Sequence, residues 1–181
     1  YQEKITVPLG LLAQFQTNAW FSVQAELYFD PKGARYSLIT TSESFYTEEY
    51  KDFEETLNYL TLPVLAKFDI GNKYRVFGYS GIYLAYLLAA NIKGTYIITN
   101  NFDPQDQVIT PVDRDYKSDI DNFDFGAVVG VGADISIAEQ YTAFIDGRFN
   151  WGWANVAQQG QGKIFNDTWS LNIGVAYKLQ P

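Results

Sequence analysis

The stretch from Asp119 to Trp153, DIDNFDFGAVVGVGADISIAEQYTAFIDGRFNWGW, alternates strictly, and a chain carrying it has few folds open to it. Phe123, Phe125, Ala127, Val129, Val131, Ala133, Ile135 and Ile137 form one face. Asn122, Asp124, Gly126, Val128, Gly130, Gly132 and Asp134 form the other. A short connection at Ala138 to Gln140 follows. Then Tyr141, Ala143, Ile145, Gly147, Phe149, Trp151 and Trp153 alternate with Thr142, Phe144, Asp146, Arg148, Asn150 and Gly152. Period-two patterning, repeated across a tight turn, is a β-hairpin.

Which face meets water decides the fold class. The solvent face of a soluble sheet carries Lys, Glu and Thr, whereas the non-apolar face here is glycine with isolated charges. That composition suits the crowded interior of a narrow barrel whose apolar face is turned to lipid. About nine to eleven residues cross a bilayer as a tilted strand, and both strands are long enough. The hairpin therefore reads as transmembrane.

The same rhythm continues along the chain. Strands are expected at Ile5 to Gln16 (weakened at Pro8, which has no N–H to donate), from Phe21 to at least Phe29, and at Leu57 to Ile70. Others are expected at Tyr74 to about Ile97, at Asp119 to Ile137, at Tyr141 to Trp153 and at Phe165 to Leu179. On the fourth, apolar on both faces, Ile82, Leu84 and Leu88 are set outward and Tyr79, Gly81 and Tyr83 inward. Asp30 to Gly33 has turn chemistry, although Ala34 to Thr40 could carry the second strand beyond the membrane. Ser42 to Glu55 reads as an exposed acidic and aromatic loop or short helix, and Thr99 to Lys117 as a second long loop. A third runs through Gln158 to Gly162.

Connections thus alternate short and long, and bacterial outer-membrane barrels place short turns in the periplasm and long loops outside. Seven strands are visible, and an even count requires an eighth, expected N-terminal to Tyr1. The expected fold is an all-β, antiparallel, up-and-down transmembrane β-barrel forming a single domain over residues 1–181. Trp20, Phe21, Tyr74 and Tyr141 beside short turns, and Trp151, Trp153, Phe165 and Trp169 near a long loop, fit interfacial girdles.

Composition narrows the function. The 181 residues contain no His and no Cys, which removes Ser-His-Asp and Cys-His machinery, imidazole or thiolate metal sites and disulfides. A net charge of -8 disfavours nucleic acid as a partner. No enzyme activity, cofactor or metal is expected. Asp113, Asp115, Asp119, Asp121 and Asp124 do not follow the spacing of an EF-hand and read as a solvated run. The glycines of FGAVVGVGAD alternate within a strand and open no helix, so they are not a nucleotide loop.

Two residue sets are candidates for a role. Glu26, Lys67, Asp124, Asp134, Asp146, Arg148 and Lys178 fall on the inward face with Gln24, Asn150 and Asn172. In a barrel of about eight strands, side chains fill the interior, so these charges are expected to pair as a structural network. Phe45, Tyr46, Tyr50, Phe53, Phe102 and Tyr116 lie in the long loops, where recognition would reside. Besides outer-membrane lipid, the expected partner is a larger outer-membrane complex. The alternatives are a narrow pore or transport protein and a soluble ligand-binding barrel.

The segments QAELYFDPKGARY, LNYLTLPVLAKFDI, FGYSGIYLAYLLAANIKG, FDFGAVVGVGADI and FIDGRFNWGWANV, in that order, resemble the PorT-type outer-membrane β-barrel family of Bacteroidota over nearly the whole chain. The resemblance implies a small eight-stranded barrel in the bacterial outer membrane, usually preceded by a signal peptide and a first strand; the acidic and aromatic loops point to a non-enzymatic accessory role in a cell-envelope assembly. Its founding member is linked to type IX secretion. The expected outcome in detergent partitioning and heat-modifiable gel mobility is that the full-length precursor is membrane-bound and heat-modifiable while residues 1–181 alone are not. A soluble, monomeric 1–181 chain without detergent would reverse the lipid-facing assignment.

Overall fold

The computed structural model describes residues 2–3, 6–42, 45–156 and 165–177. Within them the chain forms β1 (Gln2–Glu3), β2 (Leu9–Gln16), β3 (Phe21–Ser42), β4 (Tyr46–Gly71), β5 (Tyr74–Asn100), β6 (Asp103–Asp115), β7 (Phe123–Ser136), β8 (Tyr141–Gly152) and β9 (Thr168–Tyr177). A single 3-10 turn, Lys117–Asp119, interrupts the strands. All nine belong to one antiparallel sheet of up-and-down connectivity.

The sheet has two storeys because three of its strands are far longer than a bilayer needs. In the lower storey the order is β2-β3-β4-β5-β7-β8-β9, with β7 pairing Tyr74 to Tyr86 of β5. In the upper storey β6 takes the place of β7 along Asn91 to Asn100 of the same strand, and β1 takes the place of β2 beside Ala34 and Arg35 of β3. The residues of β4 above Leu60 add about 40 Å of strand path. Among the described residues β2 and β9 are the two edges of the lower storey, with no pairing between them.

The alternation decides the facing. Leu9, Leu11 and Phe15 on β2, Val23, Leu27 and Phe29 on β3, and Leu60, Leu62, Val64, Phe68 and Ile70 on β4 are exposed, as befits a lipid-facing surface. Every second residue between them is buried on β3 and β4. On β5, Ile82, Leu84 and Leu88 face out while Tyr79 and Tyr83 are buried, as the alternation anticipated. Ile5 and Leu179, assigned to the first and last strands, lie outside the described residues. Strand β2 starts at Leu9, immediately after Pro8, because proline cannot donate to the ladder.

The glycines of β7 have a specific packing partner. Phe77, Tyr79 and Tyr83 of β5 stand directly opposite Gly132, Gly130 and Gly126. A Cβ built on Gly130 would overlap the Tyr79 ring, and one on Gly132 would sit 2.5 Å from the Phe77 ring. The large inward side chains of β5 thus lie across β7, filling the lumen from one side. Gly174 on β9 is covered in the same way by Phe144.

Three loop readings are corrected by the structure. Asp30 to Gly33 is not a turn: β3 runs through it, with Lys32 opposite Leu57. Ser42 to Glu55 is neither loop nor helix from Tyr46 onward; it is the upper half of β4. Thr99 to Lys117 holds the end of β5, a turn at Asn101 and Phe102, all of β6 and the start of the 3-10 turn. The runs TYIIT and QVITPV have high strand propensity. Their two-sided exposure and the bulges at Tyr36/Leu38 and Lys51/Glu54 hid the period from the sequence. The third expected loop, Gln158 to Gly162, lies outside the described residues.

At Gly147, facing lipid, an added Cβ meets nothing within 4 Å. Gly130→Ala is therefore expected to lower the unfolding free energy by about 1–3 kcal/mol through overpacking against Tyr79. Gly147→Ala is expected to change it by under about 1 kcal/mol, in the stabilising direction. Urea midpoints of heat-modifiable mobility check both.

Candidate functional site

The inward residues of the lower storey are mostly polar, and their register stacks them in three layers joined across the lumen. Near the periplasmic turns, Lys67 Nζ lies 3.2 Å from Asp69 and 3.6 Å from Asp134, and 4.0 Å from the centre of the Phe77 ring. Arg75 clamps Asp134 with two hydrogen bonds of 2.7 and 3.1 Å. Asp134 on β7 thus accepts cations from two strands at once.

The middle layer centres on Arg148 of β8. Its guanidinium donates two hydrogen bonds, 2.7 and 2.9 Å, to Glu26 of β3 on the opposite wall. Its Nε donates to the Tyr79 hydroxyl at 2.9 Å. That hydroxyl donates to Asp146 at 2.5 Å, Asn172 donates to the same carboxylate at 2.9 Å, and Gln24 donates to Glu26 at 2.6 Å. Tyr28 and Tyr79 rings flank the guanidinium. Arginine suits this position because its fork matches a carboxylate and stacks on aromatic faces, which a lysine cannot do together.

In the top layer Lys32 Nζ sits 3.5 Å from Asp124 and 3.7 Å from Asp30, between the rings of Tyr59 and Tyr83. Tyr83 and Asn166 also donate to Asp124. Asp124, fully buried on β7, has every approach occupied.

Of the seven charges assigned to the inward face, the structure brings Glu26, Asp146 and Arg148 into one cluster and Lys67 and Asp134 into another. Asp124 joins Lys32, and Lys178 lies outside the described residues. Gln24 and Asn172 enter the middle layer, while Asn150 donates to Thr168 at 3.2 Å. The candidate charge set lacked Asp30 and Lys32, mistaken for a turn, together with Asp69, Arg75 and Asn166, and Tyr79 and Tyr83, although set inward, were not foreseen as its hydrogen-bond partners. The signal for the first two was present: Ser22, Gln24, Glu26, Tyr28, Asp30 and Lys32 are all even and all buried.

The acidic run separates. Asp113 pairs with Lys93 at 3.0 Å, Asp119 pairs with Arg114, and Asp124 turns into the lumen. Among the described residues no group of acids is placed to hold a metal ion.

The candidate recognition residues occupy the upper storey. Phe45 and Phe102 meet at 5.6 Å at the tips of two hairpins, which Thr47 and Asn101 tie together with a 2.8 Å hydrogen bond. Tyr36, Phe53, Tyr50 and Tyr96 form a continuous ladder, with centroids 5.6, 5.5 and 5.0 Å apart in turn. Tyr46 continues that side of the sheet toward the tip, opposite Ser42 and Asn100. Tyr116 follows β6 and packs down against the buried cluster of Leu57, Tyr59 and Leu87. Beneath the ladder, burial raises the Glu55 carboxyl above its ordinary range, an effect the Tyr36 hydroxyl partly offsets by donating to it. Burial, followed by the nearby Glu55 charge, pushes the Tyr116 phenol up as well.

The family model described as outer membrane protein beta-barrel domain matches residues 3–158. No curated protein and no solved structure matches the chain.

Removing one partner of the central pair leaves the other charge buried. Arg148→Met is expected to cost about 3–5 kcal/mol, and the double change Arg148→Met with Glu26→Gln to recover most of it. A double-mutant cycle in urea, read by heat-modifiable mobility, checks the coupling; additive losses would break the pairing argument.

Proposed function

Since the chain belongs to the outer membrane protein β-barrel domain family and resides in the bacterial outer membrane, we propose that it is a filled, non-enzymatic anchor acting as an accessory subunit of a cell-envelope assembly. The observation that carries this reading is the interior. Glu26 to Arg148, Lys32 to Asp124 and Lys67 to Asp134 each span the lumen between strands that are not neighbours in the sheet. A conduit needs that space for water, and here paired side chains and tyrosine rings take it. The lower storey then has one remaining task, which is to hold the upper one in place.

The upper storey supports the second half of the proposal. A solvent-exposed four-stranded sheet that carries aromatic side chains on a rigid wall is suited to hold a protein partner. The absence of His and Cys from the sequence supports a non-enzymatic role. The resemblance to PorT-type barrels adds the finer reading that the assembly serves type IX secretion. In planar bilayers the purified barrel is expected to give no discrete conductance steps, and from native membranes in mild detergent it is expected to copurify with a larger protein at a fixed ratio. Stable conductance would favour a pore, and purification of the barrel alone would sink the accessory reading.

A further inference from the structure

The register of the upper storey places every second residue of four strands on one face, continuous below with the lumen. Across the sheet one row reads Leu38, Tyr50, Tyr96, Thr110, and the next toward the tip reads Glu48, Ile98, Val108. Leu38 and Val108 are 54% and 57% exposed, and the Tyr50 and Tyr96 rings are in contact between them. Resting on the accessory-subunit reading, we propose that this face docks an extended, arginine- or lysine-bearing segment of a protein partner.

Charge selects that occupant. On this face Glu48 stands in the row of Ile98 and Val108, and Asp106, two residues before Val108, accepts a hydrogen bond from Asn100; Glu49, opposite Ile97, and Lys51, opposite Thr95, are on the other face. Among the described residues neither Glu48 nor Asp106 is in an ion pair. The opposite face is mixed in charge: Arg35 pairs with Glu54 at 2.9 Å, Lys93 pairs with Asp113 at 3.0 Å, and the register puts Lys51 there with Glu49. Carboxylates without an ion pair, beside the touching rings of Tyr50 and Tyr96, attract cationic side chains twice over, by charge and through the ring quadrupole. An anionic polysaccharide or lipid phosphate is repelled by the same surface.

The partner lies across the face and does not add a strand at the β6 edge. Tyr116 N–H donates to Ala90 at the foot of the β5 and β6 ladder, so even-numbered residues of β6 point their N–H groups at β5. Odd-numbered ones, Pro111 among them, point to the free edge. Proline there leaves a gap in the row of donors that an incoming strand would need.

The test uses the full-length protein in detergent and a fluorescent hexa-arginine peptide, read by anisotropy, with a photo-crosslinking residue at Val108 or at Ile109 on the other face. Tyr50→Leu with Tyr96→Leu leaves charge unchanged and is expected to weaken peptide binding about five- to tenfold. Neutralising Asp113 and Asp115 at the far edge is expected to change it less than about twofold. Peptide crosslinks are expected from Val108 and not from Ile109. Heat-modifiable mobility verifies that each variant is folded.

Binding that follows net charge alone, indifferent to the two tyrosines, overturns the proposal, as do crosslinks from Ile109. A native partner that copurifies but crosslinks only through Ile109 overturns this docking face while leaving the accessory reading intact. Copurification of nothing, with the tyrosine dependence retained, overturns the accessory reading and keeps the cation-binding face.

Discussion

A charge placed inside a narrow barrel within a bilayer has no water to fall back on, so each must find its opposite along its own strand or across the lumen. The contact between Arg148 and Glu26 is the central instance. It joins β8 to β3 across the lumen and fixes the distance between walls that share no hydrogen bonds. Tyr79 and Asp146 then complete the donors and acceptors that the pair leaves over. Backbone pairing sets which strands are neighbours, and the ion layers set how the walls face each other.

The glycines make that interior possible. Among the described residues, six inward carboxylates and three buried bases, together with four buried tyrosines, fit only if one wall gives up its side chains. Strand β7 does so at Gly126, Gly130 and Gly132, directly beneath the aromatic residues of β5. Cross-strand pairs of a large ring with a glycine keep packing dense where two ordinary side chains would collide.

Much of the barrel was legible because lipid and lumen impose opposite chemistries on alternate residues. The seven bilayer strands, the short turns at Asn18, Asn72 and Glu139 and the facing of every strand but the fourth, which is apolar on both sides, follow from that contrast. Above the membrane the contrast fades, and Glu48, Tyr50, Lys51 and Thr110 carry no periodic signal of the kind that Leu60 to Ile70 carries. The upper strands were therefore read as loops. Inside the barrel, inwardness was legible and partnership was not, because a one-residue change of register would have turned each charge to the other face or given it another neighbour. Arg148 could be placed in the lumen from its parity. Its meeting with Glu26, 122 residues away, required the strand order.

Strands β3, β4 and β5 run unbroken from the periplasmic turns to the exposed tip. A load applied at Phe45 or Phe102 is accordingly borne in shear by parallel rows of backbone hydrogen bonds that continue into the membrane. A loop would yield at its hinges, but a continuous ribbon passes tension straight to the barrel wall. Its compliance is concentrated at the bulges near Ser37, Asp52 and Leu88, which act as flexures along an otherwise stiff cantilever.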